Sequence, residues 1–201
     1  MLITILRPYI NAFIVIFIAI NAFGKIPVFL VLTEHFSHKQ KKIIAWQSLL
    51  YAFLATLVVT LFGALLLWIL GVNVSDTKLA GGIILLGISL NAIILGSKIY
   101  RPTLKKHFPD LGVFPVATPL AASPALFTVA LVIFQEFGVL ILANALVFNM
   151  FFVWLILESS EFIIKLIGEK GTLFFSKISE ILLTAIAVWL LRQGIIETFF
   201  R

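Results

Sequence analysis

The chain has no cysteine, only nine acidic residues among 201, and three histidines. Without cysteine there is no disulfide framework, no thiolate nucleophile and no cysteine metal site, although one missing residue type leaves the redox compartment open. His35, His38 and His107 all fall in polar loops. A His-x-x-His pair beside Glu34 lacks a third ligand from a helix, so no metal site is assigned. There is no G-x-x-x-x-G-K-[ST] loop, which excludes ATP hydrolysis by this chain. Membrane proteolysis lacks its paired aspartates, its zinc motif and a buried serine with histidine. These absences point away from an enzyme, and no cofactor is expected.

What the chain has is apolar length. Hydrophobic residues make up 62% of 201 positions, about 125 side chains, and mean hydropathy is +1.17. Soluble domains are roughly half apolar, so an ordinary globular domain is excluded. Apolar runs cover Tyr9 to Leu32, Ile43 to Leu70, Leu79 to Ser97, Phe114 to Phe134, Val139 to Leu157 and Leu173 to Leu191. Each is long enough to cross a bilayer as a helix, at about 20 residues per span. The alternation of barrel strands is missing, and in lipid the helix is then the way to satisfy every backbone N–H and C=O. The expected fold is all-α, a polytopic membrane protein with six transmembrane helices in a single membrane domain, 1–201. The first run is long, carries Asn21 and Lys25, and lacks an Ala-x-Ala site, so it reads as a retained span and not as a cleaved signal peptide.

The net charge of +6 does not point to nucleic acid, because the 12% of charged residues cluster between apolar runs. One set of loops and helix ends carries Lys39, Lys41, Lys42, Lys98, Arg101, Lys105, Lys106, Lys165, Lys170 and Lys177; the other carries Arg7, Lys78, Arg192 and Arg201. Ten against four places the loops after the first, third and fifth spans in the cytoplasm and both termini outside. Three spans per half require that any repeat be inverted, 1–100 against 101–201. Ala80 to Gly96 and Ile178 to Gly194 share length, small residues and a closing glycine. The clearer parallel is two interruptions, NAFGKIPVFLVLT from Asn21 to Thr33 and TPLAASPALFT from Thr118 to Thr128.

Proline removes a backbone donor and glycine relaxes the helix, so unwinding is expected over Gly24 to Pro27 and Pro119 to Pro124. In secondary transporters, paired broken helices of inverted repeats meet near the midplane and aim half-helix termini at charged groups. The plainer reading is that Pro27, Pro119 and Pro124 only kink packed helices. At about 1.5 Å per residue, Asn21 falls near mid-membrane and Lys25 roughly 6 Å closer to the cytoplasm. A lysine there must face the interior, pair, or snorkel, and its stem of about 6 Å falls short of an interface about 10 Å away. No acidic residue is expected deep in a span; Glu180 and Glu197 are placed near the ends of the last one. Lys25 therefore lacks a buried carboxylate partner and is left a substrate carboxylate, a helix dipole or a neutral state.

Asn21-Ala-Phe-Gly-Lys-Ile-Pro-Val-Phe with Leu32-Thr33 resembles the D-P-x-G-N-x-P-x-F-x-x-L-T motif of the MarC family of integral membrane proteins. Thr118-Pro-Leu-Ala-Ala-Ser-Pro-Ala-Leu-Phe-Thr128 is similar to that family's second motif, I-P-L-L-A-G-P-G-A-I-T. Ala80-Gly-Gly-Ile and Leu183-Thr-Ala-Ile-Ala-Val188 resemble its third and sixth spans, so the resemblance covers essentially the whole chain. It implies a six-span inner-membrane protein related to LysE-type exporters, some members resembling small neutral amino acid transporters. Asn21, Ala22 and Lys25 stand where the family motif has Asp, Pro and Asn, and Ser123 and Ala125 stand where the second motif has glycines. About two positive charges are added at the first break, which puts carried-over cation coupling in doubt. Lys25 stands either for a coupling cation or for an anion-binding group.

The expected function is a secondary transporter or exporter of a small amino-acid-like solute. The expected substrate-binding residues are Asn21, Gly24, Lys25, Pro27, Thr118, Pro119, Ser123, Pro124 and Thr128. A pore lined by the two breaks is the first alternative. The second is a non-transporting scaffold in which Gly81, Gly82 and Gly87 let helices pack closely. The expected surroundings are the lipid bilayer of the inner membrane and a small-molecule substrate. Close-packing surfaces are compatible with a homo-oligomer.

Overall fold

A computed structural model describes residues 2–95 and 123–200, with side chains over 6–94 and 123–200. Seven helices and no strand occur among the described residues: α1 (Leu2–Ile20), α2 (Ala22–Leu32), α3 (His38–Ile69), α4 (Val74–Leu95), α5 (Pro124–Phe137), α6 (Val139–Glu158) and α7 (Ser160–Phe199). Helices α3, α4, α6 and α7 are long and apolar enough to cross a membrane, and α1 with α2, bent by 43°, adds a fifth such element. Thr118, Pro119 and most of the expected fourth run lie outside the described residues. The described remainder of that run is α5, 14 residues long.

Local chemistry sets the helix ends. Ser37 and Gln40 close a capping box at the start of α3, with Ser37 N donating to Gln40 Oε1 at 2.9 Å. Gly71, Gly138 and Gly168 take positive φ, which a side chain would resist. Gly138 turns α5 into α6. Gly168 breaks α7 into a short amphipathic piece and a long span, so the last run extends well beyond Leu173 to Leu191.

Ion pairs give the directions of the helices. Lys41 and Lys42, at the start of α3, meet Glu161 and Glu158 at the start of α7 and the end of α6. Lys78, near the start of α4, meets Glu136 near the end of α5 and Glu197 near the end of α7. The two groups mark opposite ends of the bundle, since α3 runs 32 residues, about 48 Å, between them. Helices α3, α5 and α7 therefore run one way and α4 and α6 the other.

Outward positions carry apolar side chains such as Val58, Phe62, Trp68 and Phe174, whereas Ser48, Thr56, Asn149, Ser176 and Glu180 are buried. An apolar exterior around polar interior groups is the arrangement that lipid demands. Asn149 donates to Phe13 O at 3.1 Å and to Ala145 O at 2.8 Å, joining α6 to α1.

The most extensive contact is α4 against α7. Small residues allow it: a Cβ on Gly82 would lie 2.7 Å from Leu191 Cγ, and one on Gly194 would lie 2.9 Å from the Ser75 carbonyl. No described residue comes within 4 Å of a Cβ placed on Gly87, so of the glycines expected to serve packing this one has no such contact among the described residues. Gly194→Val is expected to lower the melting temperature in detergent by an overpacking cost of about 1–3 kcal/mol, while Gly87→Ala leaves it unchanged or raised. Thermal unfolding of the two variants checks this.

Candidate functional site

The break in the first span falls at one residue. Asn21 N donates to Phe17 O and Ile18 O at 3.3 and 3.1 Å, closing α1. Asn21 itself turns left-handed (φ 51°, ψ 56°), the one non-glycine residue with positive φ among those described. Asparagine tolerates that region because its short side chain bonds locally. Here Oδ1 accepts from Gly24 N at 3.3 Å and caps α2. The chain is helical again through Gly24, Lys25 and Pro27, so the unwinding expected over Gly24 to Pro27 is corrected to a kink one to two turns before the proline. The ring of Pro27 opposes the Phe23 carbonyl four residues back, and the strain is relieved on that N-terminal side. Asn21 follows 19 helical residues and precedes 11, so the break lies nearer the Lys41 end of the bundle than midway.

The other half of the Asn21 carboxamide reaches α7. Nδ2 donates to Ser176 Oγ at 2.8 Å, and Ser176 Oγ donates on to Glu180 Oε1 at 3.2 Å. Gly24 makes this approach feasible, because a Cβ there would run into Ser176 Oγ and crowd the Asn21 side chain at 3.0 Å. Phe23 and Phe175 stack beside it with centroids 5.2 Å apart. Glu180 is buried at 5% exposure, twelve residues or about 18 Å past the Gly168 break. Its sequence position suggests a helix end, because the amphipathic stretch before the last span hides how far α7 extends.

Lys25 follows Gly24 directly. Its ammonium nitrogen is buried and has no hydrogen-bond partner among the described residues. Inserting a lysine at depth costs about 3 kcal/mol even by translocation scales, so an unpaired one is a standing demand for an anion or a dipole.

At the second interruption Ser123 is extended and its Oγ accepts from Leu126 N at 3.2 Å, with Pro124 at the first helical position of α5. Proline suits that position, where its missing donor has no intrahelical partner. Thr128 donates to Pro124 O at 2.9 Å, and a Cβ on Gly81 would lie 3.0 Å from its methyl carbon, which sets Thr128 against α4 and not at the Asn21 break. Ile20, just before the first break, and Leu126, one turn after the second, line one small, open recess with Ala52, Thr56 and Met150. Thr56 donates its hydroxyl hydrogen to Ala52 O, so this wall is largely apolar. The polar groups of the first break lie instead on the seam between α2 and α7.

A bundle of long apolar helices with an oily exterior and a buried polar break defines a multi-pass integral membrane protein. The "MarC family integral membrane protein" family matches residues 6–199. A UPF0056 membrane protein of Methanocaldococcus jannaschii is 33% identical over 199 residues, 94% of this chain and 97% of the relative. One from Archaeoglobus fulgidus is 30% identical, covering 94% and 92%. The UPF0056 inner membrane protein YhgN of Escherichia coli is 27% identical, covering 92% and 95%. No solved structure matches the chain. The chain belongs to the MarC family.

Gly24→Ala is expected to destabilise the fold by about 1–3 kcal/mol through its clash with Ser176. Ser176→Ala in the same chain removes the clashing oxygen and should recover part of that loss. A double-mutant cycle on melting temperature reads the coupling, and additive effects would contradict the contact.

Proposed function

We propose that this protein is a secondary transporter of small neutral amino acids, in which two inverted three-span halves rock against each other around the first break. The observation that carries the reading is the Asn21 break itself, a buried polar seam beside an unpaired lysine in an otherwise apolar bundle. Helix contacts support the two halves. Helix α3 packs on α5 as α6 packs on α1, and α4 packs on α5 as α7 packs on α1 and α2. Exchanging the halves interchanges these contacts, with corresponding helices running in opposite directions as an inverted repeat requires, while the α5–α6 and α6–α7 contacts of the second half have no equally extensive counterpart in the first among the described residues. The excess of lysine and arginine at the Lys41 end supports placing it in the cytoplasm with both termini outside, and the printed name of the E. coli relative supports the inner membrane.

All four ion pairs among the described residues join the first half to the second, Lys41 and Lys42 at one end and Lys78 at the other. Both ends are latched in this state, and alternating access releases one latch at a time. Lys78 is 5% exposed, so its loss strands Glu136 and Glu197 in a partly buried site.

Saturable counterflow of labelled glycine, alanine or serine is expected in proteoliposomes, reduced at least about tenfold by Lys25→Met. Linear, unsaturable flux would mean a pore, and absence of flux would remove transport altogether. Because the chain has no cysteine, a Val132→Cys reporter in the cavity below Glu136 carries the only thiol. Lys78→Met should speed its labelling by an impermeant maleimide about tenfold, and Lys41→Met should not.

A further inference from the structure

Helix α7 opens with a short piece that two glycines fold away from the span. Gly168 takes φ 71° and ψ 173°, outside helical space. A Cβ on Gly171 would lie 2.8 Å from Ile167 Cβ, whereas residues four apart on a straight helix hold their Cβ atoms about 5–6 Å apart. The chain therefore bends sharply here, and residues 160–167 form a separate piece of about two turns.

That piece has two unlike sides. Ser160 is buried, Ile163, Ile164 and Ile167 are half-buried, and Glu161 accepts from Lys41 at 2.8 Å, which docks the piece on the start of α3. Phe162 and Leu166, four residues apart on one face, are 68% and 71% exposed. Lys165 stands beside them and Lys170 follows the bend, both exposed and neither in a hydrogen bond or ion pair among the described residues. Glu158 and Glu161 are already taken by Lys42 and Lys41. Of the exposed ionic groups left at this end, Lys39, Lys165 and Lys170 outnumber Glu34 and Glu169. Beyond the bend the exposed positions of α7 are again apolar at Phe174, Ile178 and Ile181, as on a face covered by lipid.

Large apolar side chains beside unpaired ammonium groups, at the point where a membrane span ends, suit the boundary between acyl chains and headgroups. The geometry points to an interfacial anchor: Phe162 and Leu166 enter the acyl boundary, and Lys165 and Lys170 hold the phosphates of anionic lipids in the leaflet at the Lys41 end. Charge chooses the occupant. A second copy related by a two-fold axis would present the same cations to this face and repel it, whereas an anionic leaflet attracts each of them. Glu161 lies on the same piece, so the lipid that holds this face also steadies one side of the Lys41 ion pair.

The test uses the purified full chain. In mixed micelles, phosphatidylglycerol should raise the melting temperature above its value with phosphatidylcholine of the same acyl chains, and inorganic phosphate should not, which separates a lipid headgroup from a free anion. Lys165→Gln combined with Lys170→Gln should raise the phosphatidylglycerol needed for half of that rise at least about tenfold. The melting temperature in phosphatidylcholine should stay unchanged, and arginine at both positions should keep the response. Because the chain has no cysteine, a nitroxide on Phe162→Cys, or on Leu166→Cys in a second variant, reports one exposed position. In vesicles of equal parts phosphatidylcholine and phosphatidylglycerol it should collide with oxygen, which concentrates among acyl chains, and be shielded from a water-soluble nickel chelate. Equal stabilisation by the two lipids, or a full response in the double glutamine variant, would overturn the assignment. So would a label open to the nickel chelate, which puts the face in water, or one shielded from both reagents, which puts a second copy on it.

Discussion

A polar group in the interior of a membrane bundle has no water to fall back on, and the architecture of the first span follows from how that constraint is met. Turning the chain at Asn21 leaves the first N–H groups of α2 without the carbonyls of a continuous helix. The Asn21 carboxamide answers locally with Oδ1 on Gly24 N and distantly with Nδ2 on Ser176. One side chain repairs the backbone and fixes α2 to α7, so the break is a joint in the bundle and not a defect in one helix. Gly24 has to be glycine because the joint leaves no room for a Cβ.

Similar economy holds along the α4–α7 contact and at the two ends. Between apolar helices in lipid there is little hydrophobic drive to associate, so close approach and polar links carry the packing. Gly82 and Gly194 bring α4 and α7 backbones together, and the lysines at the two ends link helices that are far apart in sequence. Lys78 is the more constrained of these because one buried ammonium serves two carboxylates, whereas Lys41 and Lys42 each hold one. Lys42 also lies over the Trp154 ring at 4.9 Å, which steadies its side chain where the helix meets the interface.

Much of this was legible in advance, and the misses have physical causes. Apolar runs of bilayer length identified the helices, since twenty such residues have few other stable fates. The first interruption was visible in Gly24 and Pro27, but proline acts on the turn before it, so the break landed at Asn21. The interruption expected to end at Pro124 is followed by a helix that starts there, with Ser123 as its cap, because capping is a local matter. Position in a motif groups Thr128 with the break, yet helical rotation carries it against Gly81.

Glu180 shows where sequence stops. Hydropathy sees a carboxylate near the edge of an apolar run, while its burial depends on how far α7 continues past Gly168 and on which helix lies alongside. The sequence by itself determined the helical class, the apolar runs from which the spans are built and the existence of a polar interruption, because each depends on neighbours within a few residues. Tertiary structure alone decided which polar groups meet. Asn21 and Ser176 are 155 residues apart, and their hydrogen bond exists because a glycine on one helix and a hydroxyl on another were brought to the same point.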